Sequence, residues 1–391
     1  PGVEKGLQKL ADAVSTLSDQ GGLPAGVASA SERLTTLLIE VLQNRRGDTA
    51  YWFEASDAGW RLCAAPVSVA GIVQTLLGGY VSACLTSATL SAGDGGEFIV
   101  GRLGLTRSRF LALSHPFDYP AQAVITVPTD LIRYAREREA DYWERASEYI
   151  VRTAQLLGGR TLVLFTSIER MGVAEEACRS RLADLGLELL VQHDPACRAA
   201  MAARMSRERG IVLFGLASFW EGVDFPGDQV QCVIVESLPF PAPNDPIFEA
   251  RVAALTELGE DAFERYAIPL ATLRFAQGTG RLIRSETDRG MVIVLDTRLG
   301  YKSYREVFYG AAPPMMRMQA DLEAVLERLR SLTGRAATNE EAQQPAWRRL
   351  ALCKATYSEA EYRTIRNLVV AALGQVFGHA EFRPGAWQEE L

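Results

Sequence analysis

From residue 80 to residue 296, short β-rich runs alternate with helical stretches. The runs are Tyr80 to Thr86, Ala123 to Val127, Thr161 to Thr166, Leu187 to Val191, Ile211 to Leu216, Val230 to Glu236 and Met291 to Asp296. Amphipathic helical patterns, such as 130 to 157 and 168 to 185, lie between several of them. Nearly continuous apolar strands separated by helices predict a parallel sheet covered on both faces. In such sheets ligands sit beyond the carboxyl ends of the strands, so the residues just after each strand carry the functional reading.

The flanks read differently. Residues 1 to 44 carry two helical patterns, Leu7, Leu10, Val14, Leu17 and then Leu34, Leu37, Leu38, Val41, Leu42, parted by Gly21-Gly22-Leu23-Pro24. Tyr51 to Phe53 and Trp60 to Leu62 predict two short strands around an Asp57-Ala58-Gly59 turn. Residues 62 to 93 carry no charge, but glycines, Pro66 and a Ser/Thr-rich end break the apolar pieces below spanning length. The expectation there is a buried helix leading into a buried strand. A helix is predicted over 319 to 331, a polar linker from Thr333 to Gln344, and another helix over 358 to 377. The chain starts at Pro1 with no signal-peptide pattern, and cytoplasm is the expected location.

Composition excludes several classes of function. The 391 residues suffice for two or three domains, and 48% apolar with 23% charged residues makes a globular chain. A net charge of −7 advertises no global field for nucleic acid. Of 41 basic residues, 37 are Arg and four are Lys: Lys5, Lys9, Lys302 and Lys354. None sits in G-K-[ST], so a phosphate-binding P-loop is excluded within the chain. The six cysteines form no C-x-x-C pair and read as reduced, mostly buried thiols, and the three histidines share no metal-like spacing; no metal site is expected.

Four polar loops remain: Thr86-Ser87-Ala88-Thr89-Leu90, Thr166-Ser167, Ser218 to Gly227, and Gln277-Gly278-Thr279-Gly280-Arg281-Leu282-Ile283-Arg284. At one binding edge they would gather hydroxyls, glycines, two carboxylates and two arginines. Each has a plainer reading. Thr-Ser pairs cap helices, Gly222-x-Asp224 suits a tight turn, and arginines three apart share a solvated helix face.

In this order and spacing, the four loops resemble motifs III, IV, V and VI of the second motor domain of superfamily 2 helicases. More closely they are similar to the DinG branch, related to the iron–sulfur XPD-like DNA helicases. Leu238-Pro239-Phe240-Pro241, Asp245-Pro246 and Glu249-Ala250-Arg251 also look like this family. The resemblance covers roughly residues 1 to 315. It implies a RecA-like α/β parallel sheet with helices on both faces (93 to 318), preceded by a helical insertion remnant (1 to 45) and the end of the first motor domain (46 to 92), and followed by helices and linker (319 to 375).

The resemblance also implies roles. Arg281 and Arg284 are arginine-finger candidates for ATP, whose charge and fork suit phosphate oxygens. Gln277 is a γ-phosphate or water sensor, and Gly280 lets the backbone approach. Glu221, Gly222 and Asp224 lie on the nucleotide side of motif V. Thr166, Ser167 and Ser218 contact phosphates of DNA, expected as a single strand, and Thr86, Ser87 and Thr89 couple the two sites. The P-loop, the D-E-A-H box with its Mg²⁺, and any four-cysteine iron–sulfur cluster belong to the first motor domain, N-terminal to residue 1. That domain is the expected partner. This chain alone is then expected to be inactive, and the runner-up reading is a degenerate domain that binds nucleic acid or a partner without catalysis. Finally, Phe377-Gly378-His379 and Phe382-Arg383-Pro384-Gly385 resemble the opening of a RecQ-like module (376 to 391), with Ala386 where that family has Gln.

Overall fold

The computed structural model describes residues 48–334, except 57, 58, 106, 114, 221–224 and 226–228, together with scattered positions before residue 48. The chain divides into two compact units: Pro1–Gly79, Gly101–Thr106 and Pro241–Arg265 in one, and Tyr80–Val100, Arg107–Phe240 and Tyr266–Leu391 in the other.

In the first unit, β1 (Thr49–Ser56) and β2 (Gly59–Pro66) form the expected antiparallel hairpin, with Thr49 opposite Pro66. Helix α1 (Ala70–Leu77) follows and buries none of its residues; Ile72 and Leu76 are exposed. The expectation of a buried helix is therefore corrected.

The second unit is built on a seven-stranded, all-parallel sheet in the order β5-β6-β4-β7-β8-β3-β9. Its strands are β3 (Ala123–Pro128), β4 (Thr161–Leu164), β5 (Glu188–Val191), β6 (Ile211–Gly215), β7 (Cys232–Val235), β8 (Gly290–Val294) and β9 (Met316–Ala320). Helices of eight residues or more are α2 (Glu139–Leu157), α3 (Ile168–Asp184), α4 (Arg198–Arg207), α6 (Ile268–Thr279) and α7 (Leu322–Thr333), with α5 (Pro246–Glu257) belonging to the first unit.

Strand residues alternate between two cores. Leu162, Leu164, Val233, Val235, Val292 and Val294 pack with Phe275 of α6 and with Trp220. Val163, Val212, Cys232, Ile234, Met291 and Ile293 pack with Tyr142, Tyr149 and Ile150 of α2 and with Val325 of α7. A sheet clad on both faces explains why its strands read as unbroken apolar runs. The fold class is the RecA-like α/β arrangement expected.

Local differences have local causes. Tyr80 to Thr86 forms no strand and is exposed; an apolar run becomes a strand only beside a ladder partner. The helix expected over 130–157 begins at Glu139. Before it, Asp130 accepts from Arg145, from Tyr149 and from the Leu322 backbone N–H, which ties the start of that segment to α2 and α7, and Arg136–Arg138 form a short 3-10 turn. The helix predicted over 319–331 starts at Leu322, because Met316-Arg317-Met318-Gln319-Ala320 pairs with β3 as an edge strand that carries no apolar run. Of five described cysteines, Cys178 and Cys232 are buried while Cys84 and Cys197 are exposed, which corrects the expectation of mostly buried thiols. The predicted helices over 1–44 lie largely outside the described residues, and the predicted helix over 358–377 and the RecQ-like stretch lie wholly outside them.

Candidate nucleotide and nucleic-acid site

Motif IV follows β4 and motif V follows β6, so both start at the carboxyl edge of the sheet. Motif VI does not follow a strand. It closes α6 and leads into the amino end of β8. Gln122, just before β3, donates through Nε2 to the carbonyls of Ser285 (2.8 Å), Glu286 (3.1 Å) and Asp288 (3.0 Å), tying this segment to the amino edge. The expectation that all four loops meet at the carboxyl edge is corrected accordingly.

What unites motifs IV, V and VI is Trp220. Its Nε1 donates to the Phe165 carbonyl at 3.1 Å. Its own carbonyl accepts from Arg281, at 3.3 Å from Nε and 3.0 Å from Nη2. Its ring lies against Gly278, where a Cβ would come within 2.5 Å of Cε3 and 3.0 Å of the Leu164 Cδ1. Glycine at 278 therefore permits the contact between α6 and motif V. Gly278→Ala is expected to cost about 1–3 kcal/mol by overpacking, read as a lower urea midpoint.

Arg281 and Arg284 lie past the last residue of α6, so they do not share a helix face. Gly280 caps that helix, its N–H bonded to the Ala276 carbonyl at 2.9 Å. The Arg284 backbone N–H donates to Asp288 Oδ2 at 2.7 Å, and Ser285 donates to the same carboxylate through N (2.9 Å) and Oγ (2.7 Å). Arg284 Nε reaches the Arg281 carbonyl at 3.4 Å. Gln277 is half-buried near the end of α6. Glu221, Gly222 and Asp224 lie outside the described residues.

At the carboxyl edge, Thr166 is exposed and Ser167 caps α3, its Oγ accepting from the Arg170 N–H at 3.3 Å. The capping reading holds at Ser167. Ser218 Oγ accepts from Gln192 Nε2 at 2.6 Å. Thr86 and Ser87 are exposed and Thr89 is half-buried; the Thr89 N–H donates to Ser87 Oγ at 3.2 Å. That segment stands outside the hydrogen-bonded set joining the other three motifs.

Sequence reasoning missed a cluster at the carboxyl ends of β7 and β8. Glu236 is fully buried, ion-paired to Arg170, and accepts from the Tyr142 hydroxyl at 3.3 Å. The Arg170 guanidinium lies 3.7 Å from the centre of the Tyr134 ring, a cation–π contact. Burial pushes the Glu236 carboxyl up to about 7, with Arg170 pulling it down and Asp296 pushing it up. Asp296 is held below the ordinary carboxylate range: burial raises it, but hydrogen bonds from Arg298 and the Leu238 N–H outweigh that. Arg133, Arg170, Glu236, Asp296 and Arg298 line a cavity of about 250 Å³. The available signal was a carboxylate closing each apolar run, Glu236 and Asp296.

Among the described residues no three His, Cys, Asp or Glu side chains converge as a metal site, and no helix is long and apolar enough to cross a membrane.

The seven-stranded parallel sheet is a RecA-like α/β fold, with motifs IV, V and VI placed along it in order. Residues 150–315 match the family described as Helicase C-terminal domain. Over 323 residues the chain is 31% identical to the ATP-dependent helicase DinG of Mycobacterium tuberculosis, covering 80% of this chain and 47% of that protein. Over 339 residues it is 31% identical to the ATP-dependent DNA helicase YoaA of Haemophilus influenzae, covering 84% and 51%. An apo XPD structure shares the fold with a TM-score of 0.54 at 16% identity, covering 74% of this chain and 59% of that one. An XPD helicase structure does so with 0.52, also at 16% identity, covering 76% and 56%. Residues 150–315 thus carry the Helicase C-terminal domain, and the chain around them is similar to the C-terminal part of DinG and YoaA helicases. It spans about half the length of the curated relatives it matches.

Proposed function

We propose that this chain is the C-terminal motor part of an ATP-dependent DNA helicase or translocase. In this reading residues 46–92 end the first motor domain, 93–318 form the second, and the N-terminal part of the first is its partner. The observation that carries it is the Trp220 junction, where Arg281 grips the motif V backbone and the indole grips motif IV. A change at the nucleotide side thereby has a bonded route to the carboxyl edge.

Phosphoryl transfer is dominated by positioning and by neutralising charge on the transferred group. The upstream domain supplies the P-loop lysine and Mg²⁺, and ATP supplies the γ-phosphoryl group. Arg281, engaged with Trp220, serves as the link. Arg284, held through its backbone by Asp288, is the finger toward the γ-phosphate, with Gln277 nearby as sensor. Glu221, Gly222 and Asp224 remain candidates on the nucleotide side. Thr166, Ser167 and Ser218 hold phosphates of a single DNA strand without reading sequence, and Thr86, Ser87 and Thr89 assist coupling.

An ATPase assay tests this reading. The 391-residue chain alone is expected to turn over ATP at background. A chain carrying the upstream motor region is expected to show DNA-stimulated turnover. Robust stimulated activity in the shorter chain refutes the proposal.

A further inference from the structure

We propose that Gln192 is a positioning residue that fixes the polarity of the Ser218 hydroxyl, making it a hydrogen-bond donor to a phosphodiester oxygen. The inference rests on the function proposed above and adds the group that fits Ser218 for its contact.

Gln192 follows β5 directly and is 1% exposed. Its Oε1 accepts from the Leu216 backbone N–H at 2.9 Å. A backbone N–H can only donate, so the amide orientation is settled by its partner. Nε2 must then face the other way, where it donates to Ser218 Oγ at 2.6 Å. A serine hydroxyl has one proton and two lone pairs. With a lone pair taken by the amide, the proton is left for an acceptor outside the protein. Arg198 Nη1, 3.4 Å from the Ser218 carbonyl, places a positive charge beside it.

The same polarity appears one strand over. Ser167 Oγ accepts from the Arg170 N–H at 3.3 Å, so its proton is also directed elsewhere. β4 and β6 are neighbours in the sheet, so two hydroxyls at adjacent strand ends present donors. A phosphodiester oxygen, which only accepts, matches both. A sugar hydroxyl or a base edge of mixed polarity matches them less well.

The test is a polarity reversal with almost no change of shape. Gln192→Glu keeps the acceptor for the Leu216 N–H but replaces the donor with a carboxylate that takes the Ser218 proton. Binding of a fluorescein-labelled single-stranded oligodeoxythymidylate is measured by anisotropy at low salt. Gln192→Glu and Ser218→Ala are each expected to weaken binding about tenfold, the size of one hydrogen bond to a charged group. The double variant is expected to be no weaker than Ser218→Ala. Losses that multiply in the double variant indicate plain charge repulsion and overturn the inference, as does wild-type affinity in Gln192→Glu. Ser218→Cys and Ser218→Thr keep the test independent of how Gln192→Glu folds. Thr keeps the donor and should weaken binding less than Cys; the reverse order overturns the inference. An oligonucleotide that the wild-type chain does not bind removes the proposed function and this inference together. Wild-type binding with insensitive Gln192 and Ser218 variants removes this inference alone.

Discussion

Arg284→Ala, in a chain carrying the upstream motor region, is expected to lower ATP turnover about 10³-fold or more while leaving nucleotide affinity largely intact. An arginine finger acts on charge that develops in the transition state, so its loss falls on kcat rather than on binding. In the proposed function Arg284 is the finger and Arg281 the link to motif V. The Arg281 guanidinium donates twice to the Trp220 carbonyl, and Arg284 is anchored by its backbone N–H on Asp288 and by its Nε on the Arg281 carbonyl. Arg281→Ala should instead weaken the coupling of turnover to DNA, because it unties motif VI from motif V. Single-turnover kinetics with and without DNA separate the two. Unchanged kcat in Arg284→Ala shows that another residue is the finger.

The second large effect is on stability. Glu236→Ala is expected to cost about 3–5 kcal/mol, because removing one partner of a buried ion pair strands the other. The stranded group is Arg170, whose side chain is 16% exposed. Urea unfolding at pH 8 measures the loss, and Glu236→Gln, which keeps a hydrogen-bond acceptor, should lose less. A loss below 1 kcal/mol in Glu236→Ala would show that Arg170 finds water or another partner (about the cost of an exposed pair).

The same carboxyl makes stability depend on pH. Its folded value, about 7, lies above the ordinary 4.5, so the folded state binds the proton more tightly than the unfolded state. Its contribution is fully present below about pH 4.5 and is lost as pH rises toward 7. Wild type should therefore lose stability across that window relative to Glu236→Gln, which lacks the titration. Parallel curves for the two proteins would remove this assignment.

Much of the fold was legible because its signal is local. A strand buried on both faces must be apolar along its whole length, and Ile211 to Gly215 or Cys232 to Val235 announce themselves that way. Edge strand β9 carries no such run. Tyr80 to Thr86 carries one and forms no strand, because pairing belongs to the neighbour as much as to the run.

The sequence by itself carried the resemblance to the helicase C-terminal domain, the strand alternation and the order of the motifs, since each motif is a contiguous stretch whose residue types are written side by side. Tertiary structure decided which groups meet. Arg281 and Trp220 are 61 residues apart, Phe165 and Trp220 are 55 apart, and Gln192 and Ser218 are 26 apart. No periodicity encodes such pairs; neighbouring parallel strands β5, β6 and β4 bring Gln192, Ser218, Trp220 and Phe165 together past their carboxyl ends, and the end of α6 brings Arg281 to Trp220. Burial then did the rest. It favoured glycine at 278 beneath Trp220 and raised the affinity of Glu236 for its proton, while the Leu216 N–H turned the Gln192 amide one way.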